Sequence, residues 1–169
     1  MTSPMYTNSV PVFKQLLTAM KTNLATTAAE VAAKSMNADA FLQARLYPDM
    51  FPLVKQVQIA CDFARGVSAR LAGIAVPAHD GDEASFADLD ALLATTLGFI
   101  EGLDAAKFDG SEGKEIVLRP GTPKEKKLSG QAYLSSYGLP QFFFHVTTAY
   151  ALLRRNGIEI GKRDYMGQY

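Results

Sequence analysis

Apolar residues recur every three or four positions along four long stretches of the chain, which is the spacing of one face of an α-helix. The pattern predicts helices over residues 10–34 and 49–72, a third helix that begins at Ser85, and a last helix over residues 130–156. The apolar stripe of the first helix consists of Phe13, Leu16, Leu17, Met20, Leu24, Ala28 and Val31. Each helix therefore has one face to bury and another that suits water.

Residues at the ends of these stretches support the predicted boundaries. Pro11 lies in the first turn of the first helix, where the missing N–H of a proline costs nothing. Gly73 and Gly157 follow the second and last helices, in the position where glycine commonly caps a C-terminus. Ser85 is followed three residues later by Asp88, a pair that resembles a capping box at the start of the third helix.

The second helix has a polar side that we expect to face solvent. At 100° per residue, Gln56 lies instead on the flank of the apolar stripe, beside Phe63, from where its side chain can point inward. The residues opposite the stripe are Lys55, Gln58, Asp62 and Arg65.

A short hairpin is predicted between the third and last helices. Residues 115–119 and 126–128 are β-prone runs on either side of a Pro-Gly turn at residues 120–123. Gly138 and Pro140 lie inside the last helical stretch and predict a kink or break near residues 138–140.

Four amphipathic helices with one apolar stripe each bury those stripes best against one another. We therefore predict an all-α fold, a four-helix bundle with a small β-hairpin before the last helix. No internal repeat or low-complexity segment interrupts the chain, which predicts a single domain over residues 1–169. The tail that follows Gly157 is expected to pack along the bundle.

Composition excludes several classes of function. The chain has 17 basic and 17 acidic residues, a formal net charge of zero, and no basic stripe with interleaved aromatics, which argues against a nucleic-acid partner. No apolar run approaches the ~20 residues that span a bilayer, and residues 1–5 lack the pattern of a signal peptide. Cys61 is the only cysteine, so neither an intrachain disulfide nor a cysteine-based zinc site is expected. We expect a cytoplasmic protein with no membrane partner.

The most informative residue is His145, one of two histidines, which lies inside the most apolar helix. A buried imidazole costs free energy unless its nitrogens find partners. Gln141 lies four residues earlier, on the same helix face. If the flank that carries Gln56 meets this face, the bundle encloses two carboxamides and one imidazole. We therefore assign Gln56, Gln141 and His145 as the candidate ligand-binding residues.

Two sequence runs carry a resemblance to a known superfamily. Residues 145–157, followed by Ile158, resemble the closing helix of the DinB/YfiT-like superfamily. Residues 144–150 and 46–50 resemble a branch of it that is catalogued as a domain of unknown function. The resemblance implies a four-helix bundle over nearly the whole chain. It also implies a divalent metal held in several members by three histidines, one on the second helix and two spaced four apart on the last.

Only part of that implied site is present here. His145 matches the second histidine of the last-helix pair, Gln141 stands where the first would be, and Gln56 is the candidate for the second-helix position. A neutral carboxamide oxygen is a weak ligand for zinc or nickel. The loss of two histidine ligands therefore disfavours a divalent metal cofactor, for which His145 is the one candidate ligand.

Several interpretations stay open at this point. His145 is a hydrogen-bonded core residue, part of a ligand pocket, or a metal ligand. The corresponding functions are a non-catalytic or small-molecule-binding bundle with a degenerate metal site or, alternatively, a metal-dependent enzyme of the thiol-transferase type, so enzymatic activity is left open. Phe142, Phe143 and Phe144 point in three directions around one helix, so at least one should face outward or toward a second copy in a homodimer. His79, close to Asp80 and Asp82, is expected to be an exposed loop residue or, alternatively, part of a surface metal site.

Overall fold

Four long helices dominate residues 2–169, which the computed structural model describes. Short helical segments and one hairpin connect them. In chain order the elements are α1 (Pro4–Thr7), α2 (Val10–Ala33), α3 (Ala38–Leu42), α4 (Leu53–Ala72), α5 (Phe86–Glu101), a 3₁₀ turn (Ala105–Phe108), β1 (Glu115–Leu118), β2 (Lys126–Ser129), α6 (Gly130–Ala132), a π-helical segment (Tyr133–Gly138), α7 (Leu139–Arg155) and α8 (Lys162–Met166). This arrangement confirms the predicted all-α fold with a hairpin before the last helix.

The four long helices bury their apolar stripes against one another, as the periodicity predicts. Helix α4 packs against α5 and α7, and α2 packs against the same two helices from the other side. Phe13 and Phe142 meet edge to face in the core with ring centroids 4.7 Å apart. No helix among residues 2–169 is long and apolar enough to cross a membrane.

Helix α4 begins at Leu53, four residues later than the periodicity predicts. The reason is Pro52, because the residue before a proline is disfavoured in the α conformation and Phe51 therefore stays outside the helix. The Pro52 carbonyl accepts the first helical hydrogen bond, from the Gln56 amide at 3.0 Å. At the other end Gly73 adopts the left-handed conformation, with φ of 71°, and ends the helix as predicted.

The predicted break in the last helical stretch is a π-helical segment, Tyr133–Gly138, that leads directly into α7. Pro140 is the second residue of α7 and follows helical backbone. It has no N–H to donate to the preceding turn, which is where regular α-helical hydrogen bonding is interrupted. A Cβ atom on Gly138 would lie 2.7 Å from Val67 Cγ2, so the absence of a side chain lets α7 approach α4 closely. The two helices run antiparallel, which places the second turn of α7 beside the first turn of α4.

The hairpin and the C-terminal tail complete the fold. Strands β1 and β2 pair antiparallel, with Ile116 opposite Leu128. Helix α8 lies on α2, as expected for the tail. The side-chain amide of Gln15 donates to the Met166 carbonyl at 2.8 Å, and the side-chain amide of Asn23 donates to the Asp164 carbonyl at 3.1 Å.

Candidate functional site

Gln56 and His145 meet between α4 and α7. The Oε1 atom of Gln56 lies 2.7 Å from Nδ1 of His145. Both side chains are nearly enclosed, with 1% of Gln56 and 7% of His145 exposed. Two of the three candidate site residues are thus in direct contact, although 89 positions separate them along the chain.

A third group fixes how this pair is protonated. The Nε2 amide of Gln56 donates to the Phe51 carbonyl at 3.0 Å, and a carbonyl can only accept. The carboxamide oxygen is therefore the atom that faces His145, and Nδ1 of the imidazole must donate the proton between them. In the neutral ring this leaves the lone pair on Nε2 of His145. That nitrogen has no hydrogen-bond partner among residues 2–169, and it is not completely shielded from solvent.

Aromatic rings enclose the imidazole on two sides. Phe63 stacks on it with centroids 6.0 Å apart and ring planes 16° from parallel, whereas Phe144 meets it edge-on at 5.2 Å. Burial lowers the pKa of His145 below its ordinary value of 6.5, because the apolar surroundings disfavour the imidazolium. His145 is therefore a neutral acceptor at physiological pH.

Gln141 lies one turn before His145 on α7 and is half-buried. Its carboxamide makes no hydrogen bond to Gln56, to His145 or to any other group in the described part of the chain. The structure thus joins two of the three candidates and leaves the third on the same helix face.

The donor set does not fit a tightly bound zinc or nickel ion. Gln56 and Gln141 offer neutral oxygens, and His145 offers a single nitrogen lone pair. Across residues 2–169 no group of three His, Cys, Asp or Glu side chains converges in a way that could hold a metal ion.

The polar side predicted for α4 is partly wrong. Gln58 and Arg65 are buried, with 3% and 5% of each residue exposed, because the connection to α5 folds back over this side of the helix. Gln58 donates to a Glu83 carboxylate oxygen at 2.7 Å, and Arg65 donates to Asp62 at 2.6 Å.

The expectation of an exposed loop histidine at position 79 is also wrong. Only 12% of the His79 side chain is exposed, because it lies between two carboxylates. Its Nδ1 is 2.9 Å from Asp62 and its Nε2 is 2.8 Å from Glu83. Both contacts are hydrogen bonds at once only if both ring nitrogens carry protons. Burial opposes ionisation of Glu83, but the hydrogen bonds from His79, its own backbone and Gln58 outweigh it and lower the pKa of this carboxyl group.

Cys61 has no chemical role in this arrangement. It is fully buried, and burial raises the pKa of its thiol to about 12. The thiol is therefore protonated and a poor nucleophile at neutral pH.

The comparisons with known proteins agree with the geometry of the bundle. The model of a domain of unknown function, DUF1993, matches residues 5–166. The fold is similar to the crystal structure of a DinB family member protein from Shewanella denitrificans, at 36% sequence identity and a TM-score of 0.90, over 97% of this chain and 92% of that chain. No curated protein matches the sequence. These findings confirm the resemblance that the sequence suggests.

The depressed pKa of His145 predicts a pH-dependent stability that His145→Gln lacks. The folded state binds the imidazole proton less readily than the unfolded chain does, so stability rises with pH. The contribution of His145 is complete above its unfolded pKa of about 6.5 and is lost as the pH falls from there toward the lower folded pKa. Because one proton is involved, the free energy of unfolding changes by at most about 1.4 kcal/mol per pH unit through this effect.

Urea unfolding of the natural protein and of His145→Gln between pH 5 and pH 8 checks this expectation. The free energy of unfolding of the natural protein minus that of His145→Gln should be more positive at pH 8 than at pH 5. Every other ionisable group is common to the two proteins, so its effect cancels in that difference. A difference that does not change with pH would contradict the assignment of His145 as a buried neutral acceptor.

Proposed function

Because the chain belongs to the DUF1993 family of DinB-like proteins, we propose that it is a metal-independent, non-catalytic bundle protein whose degenerate metal site binds a small polar molecule. The hydrogen bond between Gln56 and His145 is the observation that supports this most strongly. It satisfies two buried polar groups without a cation, at the place where the resemblance implies metal ligands. Nε2 of His145 and the half-buried carboxamide of Gln141 remain as the groups that a ligand would contact.

The metal content of the purified protein tests the metal-independent part of this proposal. After dialysis against zinc, nickel and manganese, the untagged protein should retain far less than one equivalent of metal, because one imidazole and two carboxamides are a weak donor set. Mass spectrometry of the natural protein, His145→Ala and His79→Ala measures this. All three proteins should give the same low value, and His79→Ala controls for the loss of any histidine.

Near-stoichiometric metal in the natural protein and in His79→Ala, but not in His145→Ala, would overturn the proposal. It would favour the second candidate, a metal-dependent enzyme of the thiol-transferase type. The metal-dependent enzyme is favoured by one observation. The imidazole of His145 is neutral, and its Nε2 has no partner in the described residues.

A ligand at this position should donate a hydrogen bond to Nε2 of His145 and offer an apolar body to Phe63 and Phe144. Phenol has both properties, and anisole is the matched control that lacks the donor. We expect phenol to raise the melting temperature of the natural protein more than anisole does, and to lose that advantage with His145→Ala. Equal effects of the two compounds would argue against the ligand part of the proposal.

We also propose that the aromatic side chains around this pair belong to a homodimer face. Phe51 and Phe144 are about half-exposed, at 53% and 52%, whereas Phe142 is fully buried in the core. Both residues adjoin the Gln56–His145 pair. Gln56 donates to the Phe51 backbone carbonyl, and the Phe144 ring contacts the His145 ring. Exposed aromatic groups of this kind are enriched where two proteins meet.

Sedimentation equilibrium tests the homodimer. The natural protein should have the mass of two chains, and Phe144→Ser should shift it toward one chain. Tyr169→Ser is the matched control, because Tyr169 is 97% exposed and lines a groove between α2 and α8 that contains neither Phe51 nor Phe144. A natural protein that stays monomeric at high concentration would exclude the homodimer.

A further inference from the structure

A cavity lined by Phe63 lies near the site of Gln56 and His145. Its volume is about 330 Å³, and α4, the connection to α5, the end of β1 and the π-helical segment surround it. Phe63 contacts both places, because its ring stacks on His145 and also packs 5.9 Å from the ring of Tyr137. We call this cavity the arginine pocket, after Arg65, Arg70 and Arg119, which line it.

The charges around the arginine pocket are unbalanced. Three guanidinium groups line it, and Asp62 is the one carboxylate that does so, in a chain whose formal net charge is zero. Asp62 already accepts from Arg65 at 2.6 Å and lies 2.9 Å from His79. Arg70 and Arg119 have no ion-pair partner among the described residues. The pocket is therefore an electropositive concavity, which favours an anion.

Arg70 is held so that part of its guanidinium stays available. Its Nη1 donates to the Gly66 carbonyl at 3.1 Å and to the Tyr133 hydroxyl at 3.2 Å. Its Nε and Nη2 donors have no acceptor in the described part of the chain. Gly66 provides the space for this placement, because a Cβ atom there would lie 2.7 Å from Arg70 Nη1.

Tyr133 adds a further donor at the same wall. Its oxygen accepts from Arg70, and its own proton has no acceptor within residues 2–169. Burial raises the pKa of Tyr133, an effect that the neighbouring Arg70 only partly opposes, so the hydroxyl keeps its proton at neutral pH. Arg70 and Tyr133 thus present N–H and O–H donors side by side.

Arg119 lies at the rim, where the backbone leaves β1. It is exposed and adopts a left-handed conformation with φ of 51°, which an arginine adopts only at a cost in free energy. Two hydrogen bonds to the Arg119 carbonyl stabilise this turn. The backbone amide of Thr122 donates at 3.3 Å, and the Thr122 hydroxyl donates at 2.9 Å. The turn therefore fixes the backbone from which the third guanidinium reaches the pocket.

We propose that the arginine pocket binds a small organic oxyanion, a carboxylate or phosphate monoester carried on an aromatic body. Arg70 and Arg119 hold the oxyanion, Tyr133 donates its hydroxyl proton to it, and Phe63 and Tyr137 contact the aromatic ring. Guanidinium groups match the geometry of both headgroups, and aromatic walls favour a flat apolar body. The volume is at the lower end of the range for small-molecule sites, which suits a ligand with one ring. This site does not depend on whether His145 binds a metal or a polar ligand.

Isothermal titration calorimetry with benzoate and phenyl phosphate tests the proposal on the full chain. Benzamide is the neutral counterpart of benzoate and should bind far more weakly. We expect Arg70→Gln and Arg119→Gln each to weaken binding of the anions by about tenfold or more, the usual effect of losing a hydrogen bond to a charged group. Added sodium chloride should weaken it further. The better of the two anions identifies the headgroup.

Two more variants separate binding from folding. Gly66→Ala keeps the charge and the helix but displaces the Arg70 guanidinium, so it should weaken binding without lowering the melting temperature. Arg163→Gln on α8 removes the same charge at a distance and should bind like the natural protein. Arg119 is exposed, so Arg119→Gln remains informative even if Arg70→Gln unfolds.

The proposal is overturned if neither anion binds, if benzamide binds as well as benzoate, or if Arg119→Gln and Arg163→Gln have the same effect.

Discussion

The contact between Gln56 and His145 is the constraint on which the interior of this bundle depends. Both groups lie where α4 and α7 pack together, and an unpaired carboxamide or imidazole there would cost about 1–3 kcal/mol. The Phe51 carbonyl holds the amide in one orientation, and the amide in turn fixes the tautomer of the imidazole. Three groups from two segments thus satisfy one another, and the close approach of the two helices at Gly138 and Val67 lets them meet.

This chain of hydrogen bonds also limits the chemistry that the protein can perform. Nδ1 of His145 is occupied, the Gln56 oxygen is occupied, and one neutral nitrogen remains. A single lone pair beside two aromatic rings suits the recognition of a small polar molecule better than the retention of a metal ion. Phe63 then links this place to the arginine pocket, since one face of the ring lies on His145 and the ring also lines the neighbouring cavity. Helix α4 therefore contributes to two neighbouring polar sites, the Gln56–His145 pair and the arginine pocket.

Most of the features that the sequence predicts correctly have a local signal. The periodicity of α2, the Ser85 cap of α5 and the Pro-Gly turn of the hairpin each lie within a few residues of the structure that they predict. Gln56 and His145 are identifiable as candidates because each is polar and lies on or beside an apolar stripe. Their pairing, however, depends on how α4 and α7 pack, which no local pattern determines.

The two errors about solvent exposure, at α4 and at His79, have one physical cause. Gln58 and Arg65 occupy positions that look solvent-exposed on an isolated helix, but the segment from Ile74 to Ala84 covers them. That segment has no periodicity, and the carboxylate of Glu83 that pairs with Gln58 and His79 is distant in sequence from α4. The arginine pocket was missed for the same reason, because Arg70, Arg119 and Tyr133 come from three elements that only the tertiary fold brings together.

A long-range ¹H–¹⁵N correlation spectrum of the histidine side chains at pH 7.5 tests the central claim most directly, with His79→Gln used to assign the signals. The account predicts that Nδ1 of His145 carries the proton and that Nε2 does not. It also predicts that the spectrum of this ring is the same after treatment with a chelator and after addition of zinc. A proton on Nε2, or a His145 signal that moves when metal is removed, would contradict it.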